Sequence, residues 1–236
     1  SLFSRKEQNK NKKLEDLAIS DLYKEHNWLT KRRDVFVVLG NHEYNGFNSV
    51  QEGLSFYKEK LSNFGIKLLH NSWYRTEING KGCIVFGGTG FAKYNDKYNA
   101  NTLRCCNGFT RECEISESEL FEKEYKLIKN IARQNGDCLI CVSHYPPKDC
   151  LACVDADTIY FHGHDHKNYF QKDDTAIIVA DNQIGYKNPT INFKTMSTGL
   201  EVNPYSLLDD GLYQTTVKEY LQFKEDELDP KEEVQI

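Results

Sequence analysis

Apolar positions along the chain fall into two rhythms. Short continuous runs, "VFVVLG" from Val35, "CLICVS" from Cys138, "TIYFH" from Thr158 and "AIIVA" from Ala176, read as buried strands. Between them the apolar spacing turns helical. Leu14, Leu17, Ala18 and Leu22 recur at that spacing within residues 14–29. Val50, Leu54, Tyr57 and Leu61 do so again behind Ser49, with Glu52 completing a capping box. A further helix is expected to start at Ser116 and Glu119, to carry Leu120, Leu127, Ile128 and Ile131 on its apolar face, and to stop at Gly136. The stretch "IKLLHNSWYRTEINGKGCIVFGGTG" reads as strands around a tight turn at Asn79-Gly80. Residues 91–114 are polar and aromatic without a period, which marks a long functional loop. The tail from Gly211 reads as a strand, a helix and a charged terminus.

Composition narrows the picture. A chain of 236 residues that is 39% hydrophobic can bury one sizeable core, so residues 1–236 are expected to form a single domain. Residues 1–13 are a polar, Lys-rich segment, and residues 226–236 are a charged tail. A formal charge of -5 excludes a protein held to nucleic acid mainly by a basic surface, although nucleic acid as a substrate stays open. No apolar run approaches the roughly 20 residues of a spanning helix, and the first residues lack an apolar signal core. A cytoplasmic protein away from the membrane is therefore expected.

Eight cysteines include two C-x-x-C pairs, Cys138 with Cys141 and Cys150 with Cys153, a spacing that suits zinc. In a strand, however, positions three apart point to opposite faces, so Cys138 and Cys141 are better read as small buried hydrophobes in a reducing compartment.

The chemistry gathers at the strand ends. Three apolar runs each finish in a Gly, Asn or His cluster: Gly40-Asn41-His42-Glu43, Ser143-His144-Tyr145-Pro146-Pro147 and Gly163-His164-Asp165-His166. In α/β sheets the carboxyl ends of the strands converge on one crevice, where chain-distant loops build a site. The alternation of His162, His164 and His166 also fits a mononuclear three-histidine site, unless Gly163 ends the strand and removes His162 from that face.

The motifs "GNHE", "SHYPP" and "GHDH", in this order, resemble those of the calcineurin-like metallophosphoesterase superfamily over roughly residues 34–184. The resemblance implies an α/β fold of two facing mixed β-sheets flanked by helices, with a two-metal centre at the strand ends. Carried onto this chain, it implies that Asn41, His144 and His164 bind one metal and that His166 binds the other. His42 would lie beside the phosphate as the catalytic group, giving a proton or hydrogen bond to the leaving oxygen. Two divalent ions are implied, Mn²⁺ first and Fe or Zn as alternatives, with a metal-bridging hydroxide attacking phosphorus. The implied activity is hydrolysis of a phosphorylated small molecule, nucleotide or phosphoprotein. Arg104 and Tyr145, with Tyr94 and Tyr98, are candidates for substrate contact, and Glu43 and Tyr44 for loop support. Two earlier motifs of the superfamily, Asp-x-His and Gly-Asp-x-x-Asp, do not occur before Leu39. The expected reason is a missing N-terminal β-α-β segment of the same protein. The alternative is a non-catalytic or single-metal module that keeps the fold.

Overall fold

The computed structural model describes residues 34–78, 80–93, 105–167, 169–172, 174–180, 190–192 and 214–216. The helical spacing at 14–29, the polar start and the charged tail lie outside these residues.

β1 (Val35–Val37) and β2 (Ile66–Leu68) pair in parallel as a small sheet. Between them run a 3-10 turn (Asn41–Tyr44) and helix α1 (Val50–Ser62). The helix starts as its sequence dictates: the Glu52 N–H donates to Ser49 Oγ at 3.0 Å, and the Glu52 carboxylate accepts from Asn48 N at 2.7 Å.

A six-stranded mixed sheet forms the centre. It consists of β3 (Ser72–Ile78), β4 (Lys81–Gly88), β5 (Cys138–Ser143), β6 (Thr158–His162), β7 (Tyr169–Lys172) and β8 (Ile177–Ala180), in the order β3-β4-β5-β6-β8-β7. The four inner strands are parallel and the two edges antiparallel. Gly80, at φ +77, closes the β3-β4 turn. β9 (Thr190–Asn192) and β10 (Gln214–Thr216) form a separate antiparallel pair.

Strand alternation splits the central sheet into two apolar faces. Ile84, Phe86, Leu139, Cys141, Tyr160 and Ile178 face helix α2 (Arg111–Asn135). Val85, Ile140 and Ile159 face the other way, toward Phe36 and Val38 of the β1 segment. The architecture is thus α/β, with a mixed sheet and a smaller facing sheet flanked by helices. Cys138 and Cys141 belong to opposite faces, as strand geometry requires.

Helix α2 departs from the sequence expectation. It begins five residues before Ser116, with Thr110 as its cap: the Cys113 N–H donates to Thr110 Oγ1 at 3.3 Å. Residues 111–114 are therefore helix, not loop. Its buried face is Phe121, Tyr125, Ile128 and Ala132, continued by Glu114 and Ser118. Leu120 and Leu127, expected inside, are 43% and 53% exposed. The stop holds: Gly136 takes φ +68 and its N–H reaches the Ala132 and Arg133 carbonyls. β7 carries no apolar run or period that would mark it in the sequence. A short helix α3 (Pro147–Cys150) follows β5.

Candidate metal centre

Register carries the site across three strands. Gly88 pairs with Ser143, and Ser143 with His162, so β4, β5 and β6 end level with one another. The ladder then runs one residue further: His144 N–H donates to the Thr89 carbonyl at 3.1 Å, and Gly163 N–H to the His144 carbonyl at 3.1 Å. Beyond it the backbone turns sharply, with His164 at φ +70 and His166 at φ +54. Left-handed conformation is uncommon for histidine, and residues held this way concentrate at functional sites.

The 3-10 turn approaches the same end from the small sheet. Tyr44 OH and Thr89 Oγ1 lie 3.0 Å apart, which ties the turn to the end of β4. Within the turn, the Glu43 carboxylate accepts from Gly40 N–H at 2.9 Å. A Cβ built on Gly40 would stand 2.7 Å from His144 Cε1, so only glycine permits this approach.

Three donor atoms meet as a result. Asn41 Oδ1 lies 2.9 Å from His144 Nε2, and His144 Nε2 lies 3.1 Å from His164 Nδ1. Neighbouring donors around a six-coordinate ion with bonds near 2.1 Å are about 3 Å apart, so both separations from His144 Nε2 suit donors that share one divalent ion. The chemistry of the three fits as well, a neutral amide oxygen beside two imidazole nitrogens. Among the described residues, no group of three or more His, Cys, Asp or Glu side chains is placed to hold a metal by itself. The set depends on Asn41.

Electrostatics keep the donors available. Burial above all, and then the charge on His164, His42 or His166, holds the His144 imidazole well below its ordinary pKa, so it is neutral. Those same influences place His42 and His166 within electrostatic reach of the cluster. Burial also lowers His166, against the opposing charge of Asp165. The Tyr145 ring packs 4.1 Å from the His164 ring and 5.3 Å from His144, edge-on to the latter, and Phe91 backs it at 6.0 Å. Tyr145 is 7% exposed and so braces the two imidazoles from behind.

His42 is held differently. The Asn45 side-chain amide donates to its Nδ1 at 3.2 Å, which leaves the ring proton on Nε2. His162 is buried, and its Nδ1 is directed at the Gly163 carbonyl at 2.9 Å, apart from the donor trio. Arg104, Tyr94 and Tyr98 lie outside the described residues. Sequence reasoning missed Asn45 and Thr89. No motif marks either one, and only the fold brings them to the site.

Among the described residues, no helix is long and apolar enough to cross a membrane. No curated protein matches the sequence at a significant level. A solved crystal structure aligns with 16% identity over 76% of this chain and 68% of its own, at a TM-score of 0.41, a likeness too slight to argue from. Residues 2–168 match the family model described as calcineurin-like phosphoesterase, and the chain belongs to that family.

Proposed function

We propose that this member of a family of metal-dependent phosphoester hydrolases cleaves phosphate esters at a two-metal centre. Asn41, His144 and His164 hold one divalent ion and His166 the other. The observation behind this reading is the convergence of Asn41 Oδ1, His144 Nε2 and His164 Nδ1 at 2.9 and 3.1 Å. Mn²⁺ is the preferred ion, with Fe and Zn next, because mixed nitrogen and oxygen donors accept all three. When bound, such ions supply Lewis acidity toward the phosphate and a hydroxide nucleophile at neutral pH.

The chain's own residues do the rest. His42 carries a proton at Nε2 and with it donates a hydrogen bond to the leaving oxygen as negative charge develops there, while Asn45 fixes which ring nitrogen bears it. Tyr145 keeps the His164 ring from turning. Arg104 is assigned to the substrate's phosphate. The substrate class is a phosphorylated small molecule, a nucleotide or a phosphoprotein, with nucleic acid ends within the same chemistry. Eight free thiols support a reducing, cytoplasmic setting.

Hydrolysis of 4-nitrophenyl phosphate and of its diester, titrated with Mn²⁺ while bound metal is counted, tests the proposal. Turnover should appear with added Mn²⁺ and vanish with a chelator. Two bound ions without hydrolysis of either ester would sink it. A second reading, a single-metal binding module, draws on the two close approaches to His144 Nε2, from Asn41 Oδ1 and from His164 Nδ1, which account for one ion. It predicts one ion per chain and no turnover.

A further inference from the structure

Of the eight thiols, one pair is set apart by its place in the sheet. Cys83 in β4 and Cys138, the first residue of β5, are register partners on adjacent parallel strands. Both belong to the face opposite α2. Paired strands lie about 4.8 Å apart, inside the roughly 4.4–6.8 Å between Cα atoms that a disulfide spans. Cys83 is enclosed at 2% exposure, while Cys138 is half-buried and open to a small molecule. The remaining thiols lack this combination. Cys141 and Cys150 are deep in the core beneath α2, and Cys113 and Cys153 stand open on the surface. Cys105 and Cys106 are both buried, and as chain neighbours they could bond only by distorting the peptide between them.

We propose that Cys83 and Cys138 form a thiol-exchange site for low-molecular-weight disulfides, with Cys138 the attacking sulfur and Cys83 the resolving one. The two thiols already divide these roles. The neighbouring Cys83 thiol, with help from Lys81 and against burial, lowers the Cys138 thiol to about 7. The neighbouring Cys138 thiol, together with burial, raises Cys83, so it keeps its proton.

In the first step the Cys138 thiolate forms a bond to one sulfur of the small disulfide and expels the other half as a thiolate. Next, the Cys83 thiol passes its proton to that leaving thiolate and attacks the Cys138 sulfur, releasing the second half. Two protein thiols are oxidised to one disulfide, and one small disulfide is reduced to two thiols. The site lies at the amino ends of the strands. His144 follows the last residue of β5, so the pair is roughly 20 Å from the candidate metal centre. Neither the proposed hydrolysis nor its residues enter this chemistry.

Incubation of the reduced full chain with glutathione disulfide, then acid quenching and peptide mass spectrometry, tests the pair. The expected product is a Cys83–Cys138 crosslink, with Cys141 and Cys150 unmodified. Cys83→Ala should stop at a glutathione mixed disulfide on Cys138. Its Cys138 should also react with iodoacetamide at pH 7 about three- to eight-fold more slowly, since the lost thiolate fraction outweighs the gain in nucleophilicity. If that variant does not fold, Cys138→Ser must abolish the crosslink and leave Cys83 unmodified. Reaction confined to Cys113 and Cys153, or a Cys138 mixed disulfide that persists in the unsubstituted chain, overturns the proposal.

Discussion

The side-chain oxygen of Asn41 lies 2.9 Å from Nε2 of His144, although 103 residues separate them in the chain. Both atoms are neutral donors, and each is delivered by a loop at the end of a different sheet. Loss of either should therefore cost metal rather than fold. Asn41→Leu and His144→Ala are each expected to weaken Mn²⁺ binding by about ten-fold or more. His42→Ala should change it by less than about three-fold while lowering turnover by about 10² or more. Calorimetric titration beside steady-state kinetics separates the two classes, and equal metal loss in His42→Ala would refute its assignment.

Gly40 is where the turn comes closest to the cluster. An alanine there would place its Cβ 2.6 Å from Glu43 Oε2 and 2.7 Å from His144 Cε1. The carboxylate can swing away, but Gly40 N–H then loses its acceptor. The imidazole has less room, because Tyr145 packs edge-on against it. Gly40→Ala is expected to cost about 1–3 kcal/mol of stability and to weaken metal binding. Gly163→Ala is the control: its nearest approach to His144 is an ordinary 3.5 Å, and its affinity should stay near that of the unsubstituted chain.

The inner strands were legible because a strand buried on both faces is a continuous apolar run, as in "CLICVS" and "TIYFH". β7, Tyr169–Lys172, offered no such run, since an antiparallel edge strand need not be apolar throughout. The start of α2 was misplaced because Ser116 and Glu119 imitate a capping box, while the true first turn carries Arg111, Glu112 and Glu114 and shows no apolar period. In the site, Asn41, His144 and His164 were marked by Gly and His motifs at strand ends. Thr89 and Asn45 were not, because their contacts depend on register and on a turn that no residue type announces.

The buried face of α2 makes a direct contrast testable. Phe121 is fully enclosed, with its ring 5.0 Å from that of Phe86 in β4. Leu127 is six residues further along, at 53% exposure. Phe121→Ala is expected to cost about 3–5 kcal/mol through the lost transfer energy and the cavity. Leu127→Ala should stay within about 0.5 kcal/mol. Urea unfolding of both variants decides, and similar costs would mean that the helix is turned differently on the sheet.

Arg75 and Asp137 lock the β3 edge to the residue just before β5, at the end of the sheet away from the metal site. Arg75 Nε and one Nη donate to the two carboxylate oxygens at 2.8 and 2.9 Å. The Arg75 guanidinium, chiefly through these hydrogen bonds, holds the Asp137 carboxyl below its ordinary range. A carboxyl lowered in the folded state binds its proton more readily once the chain unfolds. The stability it contributes is therefore complete above the unfolded value, near 4, and drains away as the pH falls through the lower folded value. Arg75→Ala should accordingly be less stable than the unsubstituted chain at pH 7. The gap should shrink as the pH drops below about 4, because the unfolded chain then takes up a proton at Asp137 that the folded, Arg75-paired carboxylate resists. Urea unfolding of the pair at pH 7 and pH 3 measures it. A gap unchanged between those conditions would assign the effect of Arg75 to the packing of its aliphatic stem rather than to the ion pair.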